Sequence, residues 1–232
     1  MRGLGRRRLT LRGSEDWRGG TSGVSSLDRD VVCLDGMQVL SPLRTCFDMM
    51  RERGLVEAVV VADAFAFQGV VDPVTMAVYA ADRRRWPGVR LARTALNLSH
   101  PGARSPGESR LRMVVVLAGM PEPLVNVPVY DVSDHVLGVP DLTIHGRRQV
   151  GLEYDGAYHE QDDQQAADRR RENSLTALAG LPLLRYDRIS VAQVAQRCLA
   201  AQEIARLAGT VVRNELVTAD FVRPPRHLAW SL

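Results

Sequence analysis

The chain has 232 residues, 45% hydrophobic and 25% charged, which suits a soluble globular protein with one substantial core, or one core and a small helical appendage. Its best apolar run, residues 56–67, is too short to cross a bilayer and contains Glu57 and Asp63. The arginine-rich start, Met1–Leu11, has no apolar stretch behind it, which excludes a secretory signal and leads us to expect a cytoplasmic protein.

The formal charge is only +3, but every basic side chain apart from histidine is arginine. Arginine grips phosphate through a planar fork, which suits nucleic acid, although coding bias alone also produces such a composition. Cys33, Cys46 and Cys198 show no paired spacing, so neither a disulfide framework nor a zinc site is expected.

Residues 1–36 read as an irregular lead-in, with Arg6–Arg8 and a Gly/Ser-rich stretch over 19–26 that cannot build a core. It has the look of a remnant of a longer N-terminal region. Residues 37–104 read as a helical region. Ser41-Pro42 is a helix start, and Leu43, Cys46, Phe47 and Met50 recur on one helical face. A second helix over 55–68 is apolar nearly all round and should be buried. Asp72-Pro73 starts a third, ending near Arg85. Trp86-Pro87-Gly88 separates it from a fourth that ends about Ser99.

Residues 105–208 form the next region, and 209–232 a peripheral tail. Ser105-Pro106-Gly107-Glu108 opens a helix with capping-box spacing, and Leu111, Val114, Val115 and Ala118 give it a buried stripe. Strands are expected over 124–130, 137–144 and 149–155, the last two joined by a turn at His145–Arg148. A charged helix over 162–179 ends at Gly180. A strand over 181–187 and a helix over 190–207 complete an α-β-β-β-α-β-α order, an α/β arrangement (α+β by strict usage).

Two of the expected strands carry acids where a core strand should not. Asp141 follows Pro140 within an otherwise apolar run, and Glu153 and Asp155 flank Tyr154 on one strand face. Carboxylates so close repel, and burying them is costly unless positive charge lies between them. A divalent cation answers this, since magnesium takes a few carboxylates together with water and substrate phosphate. Acids on strands also commonly face solvent or pair with arginine.

The spacing Pro140-Asp141, then Glu153-Tyr154-Asp155-Gly156-Ala157-Tyr158-His159, is more specific. With Ser105–Arg110, Asp168–Arg171 and Leu183–Tyr186, it resembles the very-short-patch repair endonuclease-like branch of the PD-(D/E)XK nuclease superfamily, in the form found in many actinobacterial proteins. The resemblance covers roughly the last two thirds of the chain. It implies a restriction-endonuclease-like core, a mixed four-stranded sheet flanked by helices, preceded by the small helical region. It further implies a metal-dependent DNA endonuclease acting in repair or defence. Asp141 and Glu153 would hold Mg2+ (or Mn2+), with the backbone carbonyl of Tyr154 as a further ligand. The superfamily's lysine would fall at Asp155, and the chain has no lysine. His159 occupies the place of a histidine that serves the chemistry in the repair branch, and its near-neutral pKa suits proton transfer.

Glu108 matches an auxiliary acid of that family, but a capping box with Ser105 explains it equally well. Arg169, Arg170 and Arg171 point in three directions about 100° apart and cannot all meet one phosphate. Asp168 is placed to pair with Arg171 along the helix. Arg185 faces either the acids, in an ion pair, or substrate. Arg147, Arg148, Arg170, Arg171 and Arg185 are the expected DNA contacts. The alternative is a catalytically inactive nuclease fold, a DNA-binding or antitoxin-like regulatory protein with a toxin-like partner. A homodimer fits either reading.

Overall fold

The computed structural model describes residues 30–156 and 175–213. They fall into two compact units divided after Ser41.

The described part of the first unit is a hairpin. Strands β1 (Val31–Leu34) and β2 (Met37–Leu40) pair antiparallel, Val31 opposite Leu40 and Leu34 opposite Met37. Asp35 and Gly36 turn the chain at φ 50° and 81°, the double left-handed geometry whose twist matches the strands it joins. Two residues of type Asp-Gly between apolar runs signal such a hairpin. The hairpin therefore replaces the irregular lead-in expected over 31–36 and the start of the helical region expected over 37–40.

The second unit opens with the helical region. Helices α1 (Pro42–Arg51), α2 (Leu55–Phe67), α3 (Pro73–Asp82) and α4 (Val89–Leu98) lie where the apolar periodicity and the Pro and Gly breaks set them. Asp72 caps α3, its carboxylate accepting the Thr75 N–H at 2.8 Å. Cys46, Phe47, Met50, Val59, Tyr79 and Ala92 form the centre of one core. The Cys46 thiol is pushed up to about 12 by burial, so it behaves as a small apolar group.

Helix α5 (Pro106–Leu117) belongs to two cores at once. Met113 and Leu117 join the helical core, while Leu111, Val114, Val115 and Ala118 pack on a sheet. That sheet is mixed and four-stranded, in the order β3 (Leu124–Val125), β6 (Leu142–His145), β7 (Gln149–Tyr154), β8 (Leu183–Tyr186). The first three pair antiparallel, and β8 runs parallel to β7. The chain is therefore a mixed α/β protein.

Leu142, Ile144, Val150 and Leu152 lie fully buried beneath α5 and the last helix, each contributing roughly 1.5–3 kcal/mol of apolar burial. Two expected strands are interrupted. Between β3 and β6 the chain leaves the sheet to form a small hairpin of β4 (Val129–Tyr130) and β5 (Val136–Gly138), so the runs 124–130 and 137–144 each divide in two. The expected last helix also divides, into α6 (Arg188–Ala192), capped by Asp187, and α7 (Val194–Ala208), with Gln193 extended at ψ 132° between them. Residues 175–179 are helical and stop at Gly180. The remainder of the charged helix expected over 162–179 lies outside the described residues, as do residues 1–29 and 214–232. Among the described residues no helix is long and apolar enough to cross a membrane.

Candidate active site

The strand registers set the expected acids Asp141 and Glu153 at neighbouring positions of the sheet. Leu142 pairs with Leu152, and continuing that antiparallel register by one residue sets Asp141 opposite Glu153. In the parallel register Glu153 is opposite Arg185. Directly paired residues share a sheet face. Because Leu142 and Leu152 point into the core, Glu153 and Arg185 share the other face, and Asp141, one residue before β6, sits beside them at the sheet's end.

Each of the three is held. The Asp141 carboxylate accepts the Tyr154 N–H at 2.8 Å, so a side chain continues the hydrogen bonding where β6 begins. Glu153 is largely buried, its side chain 11% exposed, and the Arg185 Nε donates to its Oε2 at 3.3 Å, with Arg185 itself 42% exposed. Of the two readings offered for Arg185, the ion pair is the one observed. Asp155 is exposed just beyond β7 and keeps its backbone in the sheet, its N–H donating to the Tyr186 carbonyl at 2.8 Å.

A residue overlooked in the sequence, Asn126, fastens this end of the sheet to α5. Its N–H donates to the Asp141 carbonyl at 2.8 Å. Its side-chain amide donates to Glu108 Oε2 at 2.8 Å and to the Gly102 carbonyl at 2.9 Å. Asn126 adopts φ 53°, a conformation asparagine tolerates better than most residues. The signal for it was a lone amide inside the apolar run Leu124–Val129.

Glu108 is buried at 7% exposure. The Ser105 hydroxyl accepts the Glu108 N–H at 3.1 Å, but the Glu108 carboxylate does not return to Ser105, accepting instead the Arg104 N–H at 2.9 Å. The expected capping box is thus shifted by one residue at its return arm. With Asn126 on the same oxygen, Glu108 serves as a clamp between the start of α5 and β3. Gly107 lets the Tyr154 ring lie against the first turn of α5; a Cβ there would stand 2.0 Å from the ring.

Arg147 and Arg148 are exposed at the β6–β7 turn, where the Arg148 N–H donates to the Ala208 carbonyl at 3.1 Å. This is the opposite end of β7 from Glu153, roughly 16 Å away along the strand. Any phosphate they meet lies several nucleotides from one held at Asp141 and Glu153. His159, Arg170 and Arg171, with Asp168 and Arg169, lie outside the described residues.

Asp141 and Glu153 are hard-oxygen donors of the kind magnesium takes, since it keeps several waters of its own. Among the described residues no group of three or more His, Cys, Asp or Glu side chains gathers to hold a metal ion. Asp141 and Glu153 are the residues that could hold a cation there, and Arg185 is the positive charge now beside Glu153. Compared with family models, curated proteins and solved structures, the chain matches none.

Proposed function

We propose that the chain is a metal-dependent DNA endonuclease with a restriction-endonuclease-like core, hydrolysing phosphodiester bonds at Asp141 and Glu153. One observation carries the reading: the Asp141 carboxylate accepts the N–H of Tyr154, the residue next to Glu153, which holds the two acids at neighbouring positions on the sheet. The order of helix α5, three antiparallel strands and a parallel fourth strand agrees with it.

In this reading Asp141 and Glu153 hold Mg2+ or Mn2+, the Tyr154 carbonyl is an additional ligand, and Asn126 and Tyr154 fix Asp141 through their N–H groups. Bound there, the cation would supply Lewis-acid polarisation of the scissile phosphate. His159 takes or gives the proton, and Asp155 orients water. Glu108 acts through Asn126 as a positioning residue. Arg185, released from Glu153, meets the phosphate, Arg147 and Arg148 bind the backbone farther along, and Arg170 and Arg171 are further backbone contacts. A task in DNA repair or defence follows from the same resemblance.

The test is plasmid cleavage with and without magnesium. Wild type should nick or cut supercoiled DNA only with the cation, and Asp141→Ala should lose at least 100-fold of that rate, the order of effect expected when a principal electrostatic group is removed. Full cleavage by Asp141→Ala would end the proposal.

The Arg185–Glu153 ion pair favours a second reading, a catalytically inactive fold that binds DNA or a toxin-like protein partner, as a monomer or homodimer. In that case DNA binding is indifferent to magnesium and to Asp141→Ala, and no cleavage occurs.

A further inference from the structure

We infer that the end of the helical region formed by the α1–α2 and α3–α4 connections is a second, separate binding surface for the phosphodiester backbone of a nucleic acid. The inference does not require Asp141 and Glu153 to be catalytic.

The surface is built on Trp86. The guanidinium carbons of Arg44, Arg51 and Arg83 stand 4.7, 5.7 and 5.5 Å from its ring centroid. Arg83 also stacks on Tyr79 at 3.4 Å. The two connections are locked together. Gly88 packs so closely on the end of α1 that a Cβ would stand 2.2 Å from the Arg51 carbonyl, and Arg51 donates to the Pro87 carbonyl at 3.4 Å. On this rigid base Arg53, Arg84, Arg85 and Arg90 are exposed.

Residues 83–93 hold five arginines and no acid. Of the nearby acids, Asp48 pairs with Arg44 and Arg51 at 2.6 and 2.7 Å and Glu52 with Arg51 at 3.0 Å, which leaves Asp82, exposed at the end of α3, as one carboxylate against the exposed arginines. Arg90 even sits in the first turn of α4, a turn with no acid, where a cation is unfavourable against the helix dipole. Repulsion among these charges opposes the arrangement. A polyanion that displaces counterions offsets it, and planar guanidinium groups match phosphate.

The test is DNA and RNA binding by fluorescence anisotropy in EDTA, which prevents metal-dependent cleavage, across a salt series. The triple variant Arg84→Gln, Arg85→Gln, Arg90→Gln changes only exposed side chains. Its logarithmic salt slope should become shallower by about 3, roughly one per lost phosphate contact, and its affinity should fall at least 10-fold at low salt. A control triple, Arg188→Gln, Arg206→Gln, Arg213→Gln, removes equal charge from exposed positions elsewhere and should change the slope by less than 1. Duplex DNA and duplex RNA arms identify which backbone is preferred. Equal losses in both triples would reduce the surface to net charge and overturn the inference. So would binding of polyglutamate but neither nucleic acid, which would give the surface to an acidic polypeptide.

Discussion

The two halves of the second unit each contain a carboxylate beside an arginine, and the settings are opposite. In the helical half, Asp63 on α2 and Arg112 on α5 are 1% and 2% exposed and approach to 3.7 Å. Arg112 also donates to Glu122 at 2.6 Å and to the Leu98 carbonyl, and Asp63 accepts the His100 N–H at 2.7 Å. In the sheet half, Glu153 and Arg185 meet at 3.3 Å with the arginine reaching solvent. The first pair is enclosed by protein and ties the α2 and α4 ends to α5. In the second, the arginine is partly open to solvent. Similar chemistry thus acts as a fastener where water is excluded and as an exchangeable contact where it is not.

Breaking the fastener should have the largest effect. Arg112→Ala leaves Asp63 buried without its guanidinium partner and should cost about 3–5 kcal/mol by urea denaturation. The same site has a pH signature. Burial is the largest influence on Asp63 and pushes its carboxyl above the ordinary range, against the opposing pull of Arg112 and the His100 and Ser109 hydrogen bonds. A raised carboxyl pKa stabilises the fold below the unfolded value, about 3.9, and this contribution is lost as pH rises through the folded value. The stability of wild type relative to Asp63→Asn should therefore fall as pH climbs above about 4. Paired melts showing that difference flat or rising would contradict this account.

Next in size is the joint between the halves of the candidate site. In Gly107→Ala the new methyl group meets the Tyr154 ring at 2.0 Å, so the ring must leave the first turn of α5. The expected cost is about 1–3 kcal/mol in the same melts. The displaced ring also disturbs the N–H that holds Asp141, so any magnesium-dependent cleavage should drop further than stability alone dictates. An unchanged melting midpoint would mean that Tyr154 has somewhere else to go.

The sequence exposed some of this and hid the rest for physical reasons. The four helices over 42–98 were legible because Pro, Gly and apolar spacing at 3.6 residues act locally, and Asp72-Pro73 is a complete start signal. The two acids were legible because Asp141 and Glu153 interrupt apolar strands. The pairing of β6 with β7 that sets them side by side was not, since a shift of one residue would have moved Glu153 relative to Asp141 and to the core. Asn126 was hidden for a similar reason: its value comes from reaching Glu108, 18 residues away in sequence. The Asp35-Gly36 turn is a local signal, but the irregular composition around it masks the short strands it joins.

The exchangeable pair gives the smallest change in stability and the sharpest distinction. Arg185→Gln removes a partly exposed ion pair and should shift stability by no more than about 1 kcal/mol. Its consequence for cation binding is larger, because Arg185 and a divalent cation draw on the same Glu153 carboxylate. Removing the arginine removes the competitor, so Mn2+ binding, followed by water-proton relaxation, should tighten several-fold, while Asp141→Ala should abolish it. If Arg185 instead serves only to neutralise Glu153 in an inert scaffold, Arg185→Gln leaves a carboxylate pair that gains no affinity for Mn2+. A Mn2+ affinity identical in wild type, Arg185→Gln and Asp141→Ala would separate the two acids from metal chemistry altogether.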